Sequence, residues 1–297
     1  MRSLLLLCLF LGISANCLAQ DWFTSFDVAK RLAIVQNKML LVMWEDTLNY
    51  PYYVLIKDTN GQLVIANLNQ NDAVNETIWE YFVPVILLED DYSQFLDELK
   101  DLAGMAYMDK LNDDSIKIMD VNGRILNTNF SSLNTENLTT MIDLYALNTT
   151  YINSYLRNYL KEANFNTALA LAYKYQDFGI FAKKNKTRME IVGLADLYFK
   201  EARFFMQKED ISNEKAFLQK MDLLEIKSAL IQSKPKRAKR LLKKYSTSDI
   251  DKINEGLFVF LKYTTFMILD EREEAGFWKD KLSEVDLRKA HLIININ

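Results

Sequence analysis

The sequence predicts an α/β amino-terminal domain followed by an all-α carboxyl-terminal region. Up to about residue 147, short apolar runs alternate with amphipathic segments of helical period. From Tyr151 to about residue 290 only helical patterns follow one another, and no proline occurs between Pro84 and Pro235. The first 19 residues have neither pattern and form a separate leader.

The leader has the features of a secretory signal peptide. Arg2 precedes an apolar run over residues 4–13, and Ala19 is a small residue suited to cleavage. The run is shorter than the roughly 20 apolar residues that span a bilayer. We therefore expect export to the periplasm or cell envelope of a bacterium. The alternative is a lipoprotein attached through Cys17, although Asn16 is an unusual residue before a lipidated cysteine.

Both cysteines, Cys8 and Cys17, belong to this leader, so a chain cleaved after Ala19 carries no thiol. Such a chain can neither form disulfides nor exchange them, which excludes a thiol-disulfide oxidoreductase. The formal net charge is −4, from 36 basic and 40 acidic residues. This balance argues against a nucleic-acid-binding protein.

The elements of the first half follow from local patterns. Ser25 precedes a helical stripe that begins at Phe26, and a continuous apolar run marks a buried strand. Two pairs of strand-like segments flank the turn residues Asn60-Gly61 and Asn122-Gly123 and predict hairpins. The predicted order is helix from 26, strand 39–44, hairpin 53–56 and 63–65, helix 72–82, strand 83–88, helix 95–103 ending at Gly104, hairpin 115–120 and 124–127, and helix 138–145.

The pattern of the second half predicts a helical bundle or an array of helix hairpins. Its predicted helices are 151–162, 166–177, 187–207, 213–231, 235–245 and 248–284, the last broken near Glu271. The β-branched end predicts either a strand docked on a sheet edge or a frayed tail. The predicted domains are 1–19 (signal peptide), 20–148 (α/β), 149–290 (α-helical) and 291–297 (apolar tail).

Three stretches of the first half resemble the thioredoxin-like family, especially its exported bacterial members. The helix from Phe26 with residues 37–42 is similar to the lead-in to that family's active site. Residues 78–85 resemble the helix and strand after the site, and residues 116–126 resemble the terminal hairpin. The resemblance covers less than half of the chain and implies a thioredoxin-like fold for residues 20–148.

The resemblance also implies that the redox site is lost. Asn49 and Tyr52 stand where the family has its two cysteines, and Asp114 stands near the position of its cis-proline. An amide and a phenol cannot replace the thiolate nucleophile. We therefore expect a non-catalytic exported protein that binds another exported protein or peptide. The expected surface is the former active-site face: Trp44, Asn49, Tyr50, Pro51, Tyr52 and Asp114.

Two alternatives remain open. A thiol-independent hydrolase or chaperone would use a groove between the two domains, and a structural subunit would have no ligand. No cofactor and no metal site are expected. His291 is the single histidine, and there is no glycine-rich phosphate loop. The acidic clusters at 89–91 and 109–114 lack the spacing of calcium ligands and are expected at solvated loop ends.

A basic segment follows Pro235, which suits the first position of a helix. Its cations have two interpretations: peripheral contact with lipid headgroups or an acidic partner, or a solvated helix face over the bundle. Tyr151, Tyr155 and Tyr159 likewise predict either a binding stripe or a seam of the core. The basic patch consists of Lys236, Arg237, Lys239, Arg240, Lys243 and Lys244.

Overall fold

The computed structural model of the chain describes residues 21–129 and 135–297. It has a mixed α/β amino-terminal part with small sheets, followed by helices, which confirms this layout of the sequence-based prediction. The predicted signal peptide, including Cys8 and Cys17, lies outside the described residues.

The amino-terminal part alternates helices and strands in nearly the predicted order. Ser25 caps the first helix, since its Oγ accepts a hydrogen bond from the Val28 amide at 3.5 Å. The elements are α1 (Phe26–Gln36), β1 (Met39–Trp44), α2 (Glu45–Leu48), β2 (Tyr53–Lys57), β3 (Leu63–Asn67), α3 (Asp72–Tyr81), β4 (Phe82–Leu87), α4 (Glu89–Leu99), α5 (Met105–Asn112), β5 (Lys117–Met119), β6 (Glu136–Asn137) and α6 (Leu138–Tyr145).

The first sheet places β1 at its centre. β1 pairs in parallel with β4 and antiparallel with β5. Single-residue bridges extend both sides, because Phe23 pairs in parallel with Val85 and Ile125 pairs antiparallel with Met119. The first five residues of β1 are buried, as its continuous apolar run predicts.

Pro84 lies inside β4, opposite Leu41 of β1. Its carbonyl accepts a hydrogen bond from the Phe23 amide at 3.2 Å, on the side away from β1. The nitrogen of a strand residue points to the same side as its carbonyl, so the missing N–H of Pro84 faces the sheet edge. Pro84 therefore leaves the pairing of β4 with β1 intact.

The second sheet is the predicted hairpin of β2 and β3, to which β6 adds in parallel along β2. Asp58 organises the turn, with its Oδ1 accepting from the amides of Asn60 and Gln62 at 2.9 Å each. β3 is the edge strand, and no described residue pairs with its outer side.

The second strand of the hairpin predicted at 124–127 was wrong, because only Ile125 bridges to Met119 there, and both boundaries of one helix were wrong. Helix α4 begins at Glu89 and ends at Leu99, whereas the prediction was 95–103 with a stop at Gly104. Gly104 instead precedes α5, an additional helix that contains Asp109 of the acidic cluster at 109–114, while Asp113 and Asp114 follow its end. The cluster at 89–91 occupies the first turn of α4, where carboxylates interact favourably with the helix dipole.

The carboxyl-terminal part is helical, and a break at Glu271 separates two helices as predicted. Pro235 stands at the first position of its helix. The helices are α7 (Asn153–Lys161), α8 (Phe165–Ile180), α9 (Asn185–Met206), α10 (Glu214–Ile231), α11 (Pro235–Leu242), α12 (Glu255–Ile268), α13 (Arg272–Lys279) and α14 (Glu284–Asn295).

The expectation of a terminal strand or frayed tail was wrong, because α14 continues to Asn295. Ser283 caps this helix, and its buried face presents Ala290 and Ile293 to the core. The side-chain amide of Asn297 donates to the Leu230 carbonyl at 3.0 Å and fixes the end of the chain. Packing against the bundle has overridden the strand propensity of the β-branched residues.

The buried apolar side chains form two clusters that do not coincide with the α/β and helical halves. One cluster runs from Phe26 through the central sheet and continues across α7, α8 and α9 to Leu224 of α10. The other joins the remaining helices up to Ile293. The first helices of the carboxyl-terminal part therefore complete the core of the amino-terminal part.

Candidate functional site

The loop after β1 is fixed at the edge of the second sheet. Asn69, two residues beyond β3, donates its side-chain amide to the carbonyls of Leu48 (2.9 Å) and Tyr50 (3.1 Å). These bonds hold the loop while its side chains extend outward. Tyr50 is 75% exposed, and Asn49 and Pro51 are also exposed.

Trp44 is at the end of β1 but is not an open binding residue. Its indole Nε1–H donates to the Leu111 carbonyl at 3.3 Å, and the Tyr92 ring packs edge-on with centroids 4.6 Å apart. The Lys117 ammonium lies 5.3 Å from the centroid of the indole. The half-buried ring is thus enclosed by its neighbours.

Tyr52 is also structural. Its hydroxyl donates to Glu136 Oε2 at 2.7 Å, and the same oxygen accepts the Ile116 amide at 2.9 Å. Burial, and then the nearby Glu136 carboxylate, raise the pKa of the Tyr52 phenol far above its ordinary value. This phenol stays protonated and joins the loop to both sheets.

Asp114 is exposed, close to Tyr52, and no described peptide bond is cis. Its neighbour Asp113 forms an ion pair with the buried Lys117. The Lys117 ammonium donates to Asp113 Oδ1 at 3.1 Å and to the Ser115 carbonyl at 2.9 Å. Burial lowers the pKa of Lys117 to about 8, although the Asp113 carboxylate opposes the shift. The only signal of this ion pair in the sequence is a lysine within an apolar strand.

The predicted site residues therefore divide into two groups. Asn49, Tyr50, Pro51 and Asp114 are exposed at the loop, whereas Trp44 and Tyr52 support it from inside. The sequence contains no local difference that separates Tyr50 from Tyr52. Their roles differ because Glu136, distant in sequence, reaches only Tyr52.

The hairpin beside this loop has an exposed apolar face that the sequence analysis did not single out. Leu55 lies directly opposite Ile65, and alternate residues share a face of the hairpin. Ile65 is 66% exposed, and Tyr53 and Leu63 are more than half exposed. We call the loop and this face the loop–hairpin surface, which consists of Tyr50, Pro51, Tyr53, Leu55, Leu63 and Ile65.

The basic patch is a helix face whose inner side packs through Ala238 and Leu242. Two of its cations are neutralised within the chain, since Arg237 pairs with Glu225 at 2.7 Å and Lys239 pairs with Glu271 at 2.5 Å. The exposed cations of the patch that form no ion pair with a described residue are Lys236, Arg240, Lys243 and Lys244. The arrangement is compatible with both interpretations of the patch.

The three tyrosines of the proposed stripe have different surroundings. Tyr159 is buried, Tyr155 is half-buried, and Tyr151 is exposed against the rings of Phe178 and Phe181. The Tyr159 hydroxyl donates to the buried Glu201 carboxylate. At its buried end, the stripe is therefore a seam between α7 and α9.

A buried polar network joins the hairpin after β5 to the helices. Asp120 Oδ2 accepts hydrogen bonds from the hydroxyls of Tyr198 (2.6 Å) and Tyr175 (2.8 Å). Arg124 donates from Nε to Glu201 Oε1 at 2.6 Å. Burial raises the pKa of Asp120, while its tyrosine and backbone donors oppose the shift.

Arg124 and Glu201 also border a cavity of about 830 Å³ between α4, α7 and α9. We call it the junction cavity, because it lies where the α/β part meets the first helices. It is a concave space at the place where the sequence analysis put a groove for the alternative function.

Nothing else in the described residues marks a specific chemistry. No group of three or more histidine, cysteine, aspartate or glutamate residues among them is arranged to hold a metal ion. No helix in the described ranges is long and apolar enough to cross a membrane. His291 is exposed on α14.

No family model matches this chain, and no curated protein or solved structure was found to be similar to it.

Proposed function

We propose that this chain is an exported, non-catalytic binding protein with a thioredoxin-like domain that has lost its thiols. Its partner is an exported protein or peptide bound in an extended conformation at the loop–hairpin surface. The observation that carries this proposal is the exposure of Tyr50 and Ile65 beside an unpaired edge strand. Export rests on the signal-like sequence of residues 1–19.

The arrangement of the first sheet supports the thioredoxin-like part of the proposal. In that fold, the strand that leads into the active site lies between the strand that follows the active site and the terminal hairpin. Here β1 lies between β4 and β5, with Phe23 and Ile125 bridging at the two sides. The departures are the single helical turn α2 after β1 and the hairpin β2–β3 inserted before α3.

The chemistry of the surface supports a polypeptide ligand. The outer side of β3 offers main-chain donors and acceptors to an added strand, a recognition mode that uses sheet edges. β3 has no lysine, proline or glutamate to block such pairing. Next to it, tyrosine and aliphatic side chains supply the apolar contacts that anchor protein interfaces.

Two substitutions test this surface. Tyr50→Ala and Ile65→Lys should each reduce partner cross-linking in the native envelope by roughly tenfold or more, because exposed anchors dominate interface energies. The measurement is cross-linking followed by mass spectrometry of the captured partner. Neither change should lower the melting temperature, since both side chains extend into solvent.

Val35→Lys is the matched control. Val35 is 69% exposed on α1, so this change also adds a charge at an exposed apolar position, outside the loop–hairpin surface. Cross-linking that persists in both test variants, or disappears equally in the control, would reject the surface. Reduction of a disulfide substrate by the mature chain above the rate in buffer would reject the non-catalytic assignment.

A further inference from the structure

The junction cavity is a second recognition site that shares no residue with the loop–hairpin surface. Its volume of about 830 Å³ lies within the range of small-molecule sites, roughly 300–1,000 Å³. It also lies between two parts of one chain, where such sites often occur.

One wall of the junction cavity is acidic. Asp97, Glu98 and Asp101 border it from α4 and the turn that follows. Asp97 pairs with Lys100 at 3.0 Å, and Glu98 pairs with Arg124 at 3.2 Å. The exposed Asp101 carboxylate forms no hydrogen bond or ion pair with any described residue. A negative charge therefore remains available at this wall.

The opposite wall is apolar and aromatic. Tyr159 and Leu160 border the cavity from α7, and Phe204 and Phe205 border it from α9. Aromatic faces attract ammonium and guanidinium groups. The chain already shows this interaction here, since the Lys208 ammonium lies 3.8 Å from the centroid of Phe204.

The two cations among the lining residues, Lys30 and Arg124, form ion pairs within the chain. Arg124 pairs with both Glu201 and Glu98, and Lys30 pairs with Asp27 at 2.7 Å. The lining residues thus include more carboxylates than cations.

We propose that the junction cavity binds an amphipathic organic cation, with its ammonium group at Asp101 and its apolar body against Tyr159 and Phe205. The free carboxylate supplies charge complementarity, and the aromatic wall supplies apolar contact and affinity for the cation. An anion of the same shape would face Asp97 and Asp101 and be repelled.

Titration calorimetry with three ligands of one shape tests the charge requirement. The ligands are phenylbutylamine, phenylbutanol and phenylbutyrate, and the protein is the mature chain without its leader. The amine should bind at least about tenfold more tightly than the alcohol, and the carboxylate should bind least. Raising the ionic strength should weaken binding of the amine and leave that of the alcohol nearly unchanged.

Asp101→Asn tests the residue assignment. This exposed side chain has no structural partner, so the variant should fold normally and lose roughly tenfold in affinity for the amine. Asp109→Asn, an exposed acid on α5 outside the cavity lining, is the matched control and should bind as the native chain does.

Equal affinity for the three ligands, or no heat of binding for the amine, would overturn the proposal. Unchanged amine binding by Asp101→Asn would overturn it as well. None of these outcomes bears on partner capture at the loop–hairpin surface, which uses other residues.

Discussion

Asp196 is a carboxylate whose surroundings make stability depend on pH. It lies on α9, where its Oδ1 accepts a hydrogen bond from the Ser228 hydroxyl at 2.8 Å. Burial raises the pKa of Asp196 to about 6, and the Glu225 carboxylate adds to the shift. Ser228, Lys200 and Arg237 oppose it without cancelling it.

Because this pKa is higher in the folded chain than the ordinary value of 3.8, the folded state binds the proton more tightly. The stability from Asp196 is fully present below the unfolded pKa and is lost as pH rises through about 6. The loss is at most about 3 kcal/mol, at about 1.4 kcal/mol for each pKa unit.

Asp196→Asn should therefore be more stable than the native chain at about pH 7.5 and nearly equal to it at about pH 4. Urea unfolding across this range measures the difference in the free energy of unfolding. Asp210→Asn changes an exposed position, so the difference between this variant and the native chain in the free energy of unfolding should not change with pH. If the difference for Asp196→Asn were also independent of pH, that result would contradict the raised pKa of Asp196.

At the residue scale, the sequence located the candidate loop but not the role of each side chain in it. Tyr50 and Tyr52 have the same chemistry and similar neighbours. Only contacts between distant segments decide that one extends into solvent and the other donates to Glu136. For the same reason, the sequence did not reveal the burial of Lys117.

At the element scale, the turn after β5 depends on one glycine. Gly123 has φ +79°, a left-handed conformation that favours glycine, and its amide donates to the Asp120 carbonyl at 3.0 Å. A Cβ atom at this position would lie 2.2 Å from Cε1 of Phe95. Both the backbone conformation of the turn and the packing of α4 over it therefore restrict position 123 to glycine.

Gly123→Ala should reduce the free energy of unfolding by about 2–5 kcal/mol, from backbone strain together with the displaced Phe95 ring. Gly61→Ala is a matched control, because Gly61 also has φ +79° but has open space around it. It should lose only about 1–2 kcal/mol. Equal losses in urea unfolding would show that Phe95 does not constrain the turn.

Most elements were predictable because their signals are local. Apolar runs, helical stripes, the Asn-Gly turn and Pro235 each specify a strand, a helix, a hairpin or a helix start. The errors at α4, α5 and α14 arose where local signals were misleading. Gly104 ends no helix and instead precedes α5, and the β-branched end belongs to α14, whose buried face packs against the bundle.

At the scale of the whole molecule, the α/β part depends on the helices that follow it. The apolar core of the central sheet continues into α7, α8 and α9. Asp120 and Arg124 bind three side chains on α8 and α9, namely Tyr175, Tyr198 and Glu201. Removal of these helices would expose the apolar surface and break the polar network together.

Residues 20–148 produced alone should therefore lack the cooperative unfolding transition of residues 20–297, or show it at a clearly lower urea concentration. Circular dichroism during urea titration measures both chains, with residues 20–297 as the reference. A fragment that unfolds cooperatively at the same midpoint would show that the α/β part is independent of the helices.

The sequence by itself determined the alternation of strands and helices in the first half, the helical second half and the absence of cysteine after Cys17. These properties depend on composition and on residues close together in the chain. Only the tertiary structure decided which loop residues are exposed, that the two halves share a core, and where the junction cavity lies. Exposure and cavities result from packing between distant segments, which local patterns do not specify.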